Sequence, residues 1–173
     1  PNASTLLLKL HRPSQQAMQL LIEAGKRIHL TSYVLKKPLT PPTFCMTLRK
    51  YLRNTKIMDI QQHEFERSVV LKISAREGPF LLIAELFGEG NIVLVNPQGT
   101  ITAALTYRRM RDRNVLRNEI FKHAPPSGRN PYRLEPSGFE ELKSFGRLEV
   151  VRALTRFLSI GGLYAEEILL RGN

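Results

Sequence analysis

The sequence predicts an α+β fold in which an antiparallel, β-rich domain at residues 1–133 precedes the start of a helical domain at residues 134–173. Up to about residue 106, short apolar runs with β-branched residues alternate with turn-forming dipeptides, which is typical of strands joined by hairpins. From Ser137 the apolar residues recur with a helical period instead. The stretch between these regions, residues 124–131, is rich in proline and is typical of a linker.

The first part of the chain is predicted to form strands followed by a helix. The strands lie at residues 6–10, 20–23 and 26–31. Ala24 and Gly25 form a hairpin turn between the second strand and the third. Residues 43–53 are predicted to be an amphipathic helix, because three apolar residues recur at every fourth position. These are Phe44, Leu48 and Leu52.

A series of short strands is predicted next, at residues 56–61, 67–74, 80–87, 91–96 and 101–105. Segments 88–91 and 96–99 contain glycine and separate successive strands, so both are predicted to be tight hairpin turns. A meander of hairpins makes an antiparallel sheet.

Helices are predicted for the rest of the chain. Ser137 and Glu140 have the spacing of a capping box, in which a serine begins a helix and a glutamate three residues later closes the first turn. Gly161 and Gly162 end a second helix, and residues 164–170 begin a third. The second helix is predicted from the spacing of Leu148, Val151, Leu154 and Leu158.

The positive charge is concentrated in one segment. The formal net charge is +11, and residues 107–133 carry eight Lys or Arg against two Asp or Glu in 27 positions. Such a segment attracts polyanions, and nucleic acid is the partner that it favours. An anionic membrane would require bulky apolar residues opposite the cations, and residues 107–117 have few. A solvated charged face without any partner stays an open alternative.

The arginines of this segment are predicted to hold RNA phosphates, and arginine favours planar, bidentate contacts. A helix at residues 107–117 would place the arginines at positions 109, 113 and 117 on one face. Tyr107 and Tyr132 could stack on unpaired bases. Pairing with acidic residues of the helical tail is the alternative. The candidate arginines are Arg108, Arg109, Arg111, Arg113 and Arg117.

The sequence favours binding over catalysis. Familiar catalytic motifs are absent, and the four histidines lie far apart in the chain. Cys45 is the single cysteine, which excludes an internal disulfide and a multi-cysteine zinc site and favours a reducing compartment. The apolar runs are too short to cross a bilayer. We therefore expect a cytoplasmic protein that is not an enzyme, with no catalytic residue, metal, cofactor, small-molecule substrate or membrane partner.

Five stretches together resemble a known family. They are KRIHLT at residues 26–31, PPTFCMTLRK at 41–50, FER at 65–67, ELFGEGNIVL at 85–94 and PPSGRNP at 125–131. In this order and spacing they resemble the NFACT amino-terminal domain of the fibronectin-binding-protein-A-like proteins and ribosome-quality-control factors, in an archaeal form.

The resemblance implies a function at the ribosome. Proteins of this family bind a large ribosomal subunit that carries stalled peptidyl-tRNA, recruit aminoacyl-tRNA and support untemplated extension of the nascent chain. An Asp-Arg pair important for that activity corresponds here to Glu66 and Arg67. Glutamate keeps the charge of aspartate but places the carboxylate one methylene further from the backbone. In a regular strand these two side chains would face opposite ways. The resemblance also implies family residues before Pro1, and coiled-coil and RNA-binding domains after Asn173.

The family's fold is similar to that of the formamidopyrimidine DNA glycosylases, and residues 160–169 look like their helix-two-turns-helix. Those enzymes use an amino-terminal proline followed by glutamate, together with a four-cysteine zinc finger. Here Asn2 follows Pro1, and Cys45 is alone. The charge pattern predicts a nucleic-acid-binding module, and the family resemblance implies that its partners are tRNA and large-subunit ribosomal RNA. A glycosylase-like DNA-binding protein and a fibronectin-binding adhesin, the role behind the family's older name, are the alternatives.

Overall fold

The computed structural model describes residues 4–14 and 16–172. It has the predicted α+β fold, with antiparallel sheets and helices. The chain divides into two compact units, each described separately below. The first comprises Pro1–His63 and Arg67–Ala124, and the second comprises Glu64–Glu66 and Pro125–Asn173. The domain boundary after residue 133 stays a prediction. Pro1 and Asn2, which bear on the glycosylase alternative, lie outside the described residues.

The first unit begins with a three-stranded antiparallel sheet in the order β1-β2-β3. The turn between β2 and β3 contains Gly25 in the left-handed region at φ +76°, and the amide of Lys26 donates to the carbonyl of Glu23 at 3.0 Å. The predicted hairpin is therefore confirmed. The three strands are β1 (Thr5–Leu10), β2 (Met18–Glu23) and β3 (Arg27–Thr31).

A helix, α1 (Thr43–Leu52), follows the strands, as the sequence predicts. Pro42 is its N-cap residue, just before the first helical position. Leu48 is buried, and Phe44 and Leu52 pack beside it against the core. The apolar residues spaced four apart thus face the interior.

A five-stranded antiparallel meander completes the first unit, with strands in their chain order. The predicted strands are all present, with ends that differ by one to two residues. They are β4 (Lys56–Gln62), β5 (Ser68–Ala75), β6 (Gly78–Glu85), β7 (Asn91–Val95) and β8 (Ile101–Ala104).

The central strands of this sheet, β6 and β7, are buried on both faces. Successive residues of β6 point to opposite sides, so Leu82 joins one apolar cluster and Ile83 joins the other. The first cluster also contains residues of α1 and the three-stranded sheet. The second contains Val115 and packs against Phe121. The chain after β8 therefore covers the second face, and its buried residues fix that segment to the sheet.

The second unit is helical. Its core consists of Leu154, Phe157, Leu158 and Ala165. Two stretches of 3₁₀ helix, Pro131–Arg133 and Pro136–Phe145, precede the α-helices α2 (Val150–Leu158) and α3 (Gly162–Arg171). The predicted break between the two helices is present, with Gly161 at the N-cap of α3, and α3 begins at Gly162, two residues before the predicted start.

The predicted capping box at Ser137 is wrong. The helical segment begins at Pro136, the N-cap residue is Glu135 without a side-chain cap, and the segment winds as 3₁₀ helix. Proline fits the first helical position because it lacks the amide hydrogen that would be unpaired there. Gly138 in the first turn disfavours a regular α-helix. The proline therefore sets the start, and Ser137 lies inside.

The turn between β6 and β7 presses against the turn between β2 and β3. The amide of Gly25 donates to the carbonyl of Glu85 at 2.9 Å. A Cβ atom at Gly25 would lie 2.6 Å from the carbonyl oxygen of Gly88. Both backbones can approach this closely only because glycine has no side chain.

Gly25→Ala and Gly99→Ala provide a matched test of this close approach. Both glycines have nearly the same positive φ, +76° and +79°, but a Cβ at Gly99 would meet nothing within 4 Å. We expect Gly99→Ala to lower the free energy of unfolding by about 1 kcal/mol. Gly25→Ala should lower the free energy of unfolding by about 2 kcal/mol more, because its Cβ would overlap the carbonyl oxygen of Gly88. Urea unfolding measures both, and equal losses would contradict the close approach.

Candidate nucleic-acid interface

The arginine-rich segment forms a β-hairpin. Strands β9 (Arg108–Arg109) and β10 (Asn114–Val115) pair antiparallel, and the amide of Met110 donates to the carbonyl of Arg113 at 3.1 Å. The helix that would align Arg109, Arg113 and Arg117 on one face is therefore not formed. The residues that recur with a helical spacing in this segment are arginines, and such a spacing indicates a helix only when the recurring residues are apolar. Here the buried β-branched residue is Val115, and it fixes the hairpin to the sheet.

Arg113 lies inside the protein. Its guanidinium pairs with the Glu85 carboxylate at 2.6 Å, and the two side chains are 5% and 6% exposed. The same Nη1 atom donates to the carbonyl of Lys122 at 2.9 Å. Arg113 thus joins β6, the hairpin and the segment after it. Because it is buried and paired with Glu85, it does not contribute to an exposed basic face.

Three of the remaining arginines are exposed. We call Arg109, Arg111 and Arg117 the arginine surface. Arg108 differs, because it is 32% exposed and its guanidinium lies 2.8 Å from the carboxylate of Glu89. Its charge is therefore balanced locally. The alternative that these arginines pair with the helical tail does not apply to Arg108 or Arg113, whose acidic partners come from β6 and the turn after it.

Lys122 is a basic residue that the sequence pattern did not single out. It is exposed and borders a cavity of about 270 Å³ together with Arg111. Asp112 and Glu119 border the same cavity and reduce its positive charge. Lys122 belongs to the basic segment at residues 107–133, and this position could have marked it as a candidate phosphate-binding residue.

Two histidines of the first unit, His63 and His123, stack on each other. The rings of His63 and His123 are 3.5 Å apart and nearly parallel, and Phe121 packs edge-on against His123. Burial lowers the pKa of His123 below its ordinary value, and the nearby charges of His63 and Arg113 lower it further, while Glu85 acts in the opposite direction. The sequence places these histidines far apart, and the fold brings them together.

Glu66 lies in the second unit and binds a loop. Its carboxylate accepts hydrogen bonds from the amide of Ser127 at 3.0 Å and from the Ser127 hydroxyl at 3.0 and 3.3 Å. The Ser127 hydroxyl is also bonded to that of Ser159. Neither serine was singled out from the sequence, because their proximity depends on the fold. Glu66 thus holds the loop before the first 3₁₀ helix against the end of α2.

The residues beside Glu66 make further contacts within the second unit. The Glu64 carboxylate pairs with Arg133 at 2.9 Å, and Phe65 packs edge-on against Tyr132. Tyr132, a candidate for base stacking, is 88% exposed.

Arg67 belongs to the first unit. Its side chain is exposed, and its carbonyl accepts a hydrogen bond from the amide of Leu86 at 2.8 Å. Both Glu66 and Arg67 precede β5, which begins at Ser68. The strict alternation of a regular strand therefore does not apply to this pair.

Residues 4–14 and 16–172 contain no cluster of three or more histidine, cysteine, aspartate or glutamate side chains suited to a metal ion. Over the same residues, no helix is both long and apolar enough to cross a membrane.

Replacing Arg113 tests its structural role. Arg113→Met leaves the Glu85 carboxylate buried without its partner, so we expect the free energy of unfolding to fall by about 3–5 kcal/mol. The double variant Arg113→Met/Glu85→Leu should recover most of this loss. Arg117→Ala, at an exposed position, should change stability by less than about 0.5 kcal/mol. Urea unfolding measures these stabilities. If Arg113→Met were as stable as the wild type, the result would contradict a buried ion pair.

Comparison with known proteins identifies the family. Residues 1–173 match the family described as NFACT N-terminal and middle domains. The archaeal Rqc2 homolog aRqcH of Methanocaldococcus jannaschii is 43% identical over 97% of this chain, and the match covers 26% of that relative. The human ribosome quality control complex subunit NEMF is 35% identical over 60% of the chain and 10% of its own length. The chain thus spans about a quarter or less of these relatives.

A solved structure has the same fold. The N-terminal domain of fibronectin-binding protein PavA from Streptococcus pneumoniae matches with a TM-score of 0.77 and 28% identity. The match covers 96% of this chain and 67% of that one. The resemblance seen in the sequence is confirmed: the chain belongs to the NFACT family, whose N-terminal and middle domains it matches along its whole length.

Proposed function

We propose that the chain is an RNA-binding module that acts at the large ribosomal subunit in ribosome-associated quality control. In this role it binds tRNA and supports untemplated extension of the nascent chain by positioning RNA rather than by making bonds. The observation that carries the proposal is the arginine surface, in which exposed guanidinium groups project from a hairpin fixed by a buried ion pair. The site of action is the cytoplasm, where the ribosomes are.

The names of the relatives support a role in ribosome quality control. The archaeal relative is named as an Rqc2 homolog, and the human relative as a ribosome quality control complex subunit. Family membership extends over the whole chain. The same process is therefore the best-supported role for this protein.

The physical basis of binding is the neutralisation of phosphates. Arginine donates two parallel hydrogen bonds to a phosphate group, and each neutralised phosphate releases bound cations into solution. A hairpin held by a buried ion pair keeps its backbone in place before RNA arrives, so less ordering is needed on binding. Arg109, Arg111 and Arg117 carry this contact.

Glu66 and Arg67 have different roles in the proposal. Arg67 is exposed and contacts RNA with its guanidinium. Glu66 acts through the loop that it holds, because its carboxylate binds Ser127. The family's Asp-Arg pair then combines an anchoring carboxylate with an RNA-contacting guanidinium.

Binding of tRNA at several salt concentrations tests the arginine surface. We expect Arg109→Ala/Arg111→Ala/Arg117→Ala to weaken tRNA binding and to reduce the slope of log K against log salt by about 2–3, since each phosphate contact contributes about 0.7–0.9. Arg12→Ala/Lys36→Ala/Lys37→Ala removes the same charge from exposed positions elsewhere and should have a smaller effect. Filter binding measures both variants. Equal losses would contradict the site assignment.

The same variants separate the alternatives. A fibronectin-binding protein would bind fibronectin equally well with and without the arginine surface and would bind tRNA poorly. A glycosylase-like protein would prefer DNA duplexes. Either result would replace the RNA-binding function.

A further inference from the structure

We propose that the cleft between the β6–β7 turn and strand β9, here called the turn cleft, binds one unpaired RNA base that carries an exocyclic amino group. The Glu89 carboxylate accepts from that amino group, and the Arg108 guanidinium donates to the acceptor beside it. This inference rests on the proposed RNA-binding function and specifies which part of the RNA the cleft takes.

The turn cleft has the form of a small binding site. Its volume is about 200 Å³, and Phe87 and Met110 contribute apolar surface to its walls. Glu85 and Arg113, paired with each other and buried, also line it. A planar ring could therefore lie against apolar groups and the guanidinium plane, as unpaired RNA bases commonly do.

The walls of the cleft are held in place by independent contacts. On one side, the turn at residues 88–90 presses against Gly25, which binds the carbonyl of Glu85. The Asn91 side chain joins this turn to the chain just before β9, because it donates to the carbonyl of Thr106 at 2.8 Å and accepts from the Thr106 amide at 3.1 Å. A ligand thus meets a preformed site, which lowers the entropy lost on binding.

The charges of the cleft favour a neutral ligand over a phosphate. The two charged pairs that line it, Arg108 with Glu89 and Arg113 with Glu85, are each balanced internally. A phosphate that approached Arg108 would meet the Glu89 carboxylate 2.8 Å from the guanidinium. An uncharged base with both donor and acceptor atoms on one edge avoids this repulsion.

The pair at the mouth of the cleft matches the edge of an amino-bearing base. Glu89 is 81% exposed, so its ion pair with Arg108 is weak and can exchange partners. Carboxylates accept from the amino group of cytosine, and arginine donates to ring nitrogen and carbonyl acceptors of bases. Uracil has a carbonyl where cytosine has the amino group, so it would face the carboxylate with an acceptor. The cleft should therefore discriminate between these two bases.

Equal-length single strands of oligocytidylate and oligouridylate test this inference with the full chain. They share their backbone and ring size and differ at position 4, amino in cytosine and carbonyl in uracil, and at N3, an acceptor in cytosine and a donor in uracil. We expect the wild-type protein to bind oligocytidylate about tenfold more tightly by fluorescence anisotropy, the lower end of discrimination by a paired base contact. Glu89→Ala should abolish the preference, because it removes the carboxylate that accepts from the amino group. It should not weaken oligouridylate binding, because it removes a negative charge.

Glu119→Ala is the matched control. It removes the same charge from an exposed position near the hairpin, outside the turn cleft, so the preference for oligocytidylate should persist. Equal binding of the two strands by the wild type, or a preference that survives Glu89→Ala, would overturn the inference and leave the proposed function standing. Failure of the wild type to bind tRNA and both strands would overturn the two together.

Discussion

The ion pair between Glu85 and Arg113 connects three parts of the first unit. Glu85 ends strand β6, Arg113 lies in the hairpin, and the guanidinium also binds the carbonyl of Lys122 beyond the hairpin. Both side chains are buried, so each depends on the other for compensation of its charge. The exposed arginines, His123 of the stacked pair and the turn cleft lie on the segments that this ion pair joins, so we expect their positions to depend on it.

Burial of the central strands β6 and β7 on both faces makes this arrangement possible. One face packs against α1 and the three-stranded sheet, and the other against Val115 and Phe121. Apolar packing thus covers the second face at β6, β7 and β8, and the ion pair lies where β6 ends. The hairpin then presents arginines outward from a backbone that is anchored at its base. Within this segment charge has two uses: the buried arginine contributes to the structure, and the exposed arginines are available to a polyanion.

The sequence predicts most of the fold because its strands and α1 follow local rules. Alternating β-branched runs and glycine turns are visible without knowledge of distant residues, and the family resemblance was visible in short stretches. The hairpin of β9 and β10 is not predictable in this way. Its arginines have a helical spacing, and such a spacing indicates a helix only when the residues that recur are apolar. The burial of Arg113 depends on Glu85, and the binding of Glu66 depends on Ser127; both partners are distant in the chain. Such pairings are properties of the tertiary fold.

One segment holds a buried arginine, Arg113, and three exposed arginines that the proposed function assigns to RNA contact. Arginine-selective modification with phenylglyoxal, read by mass spectrometry with and without tRNA, tests this division directly. We expect Arg113 to be unreactive in both states, and Arg109, Arg111 and Arg117 to react in the free protein and to be protected by tRNA. Modification of Arg113 in the folded protein, or full reactivity of the other three in the presence of saturating tRNA, would contradict the account.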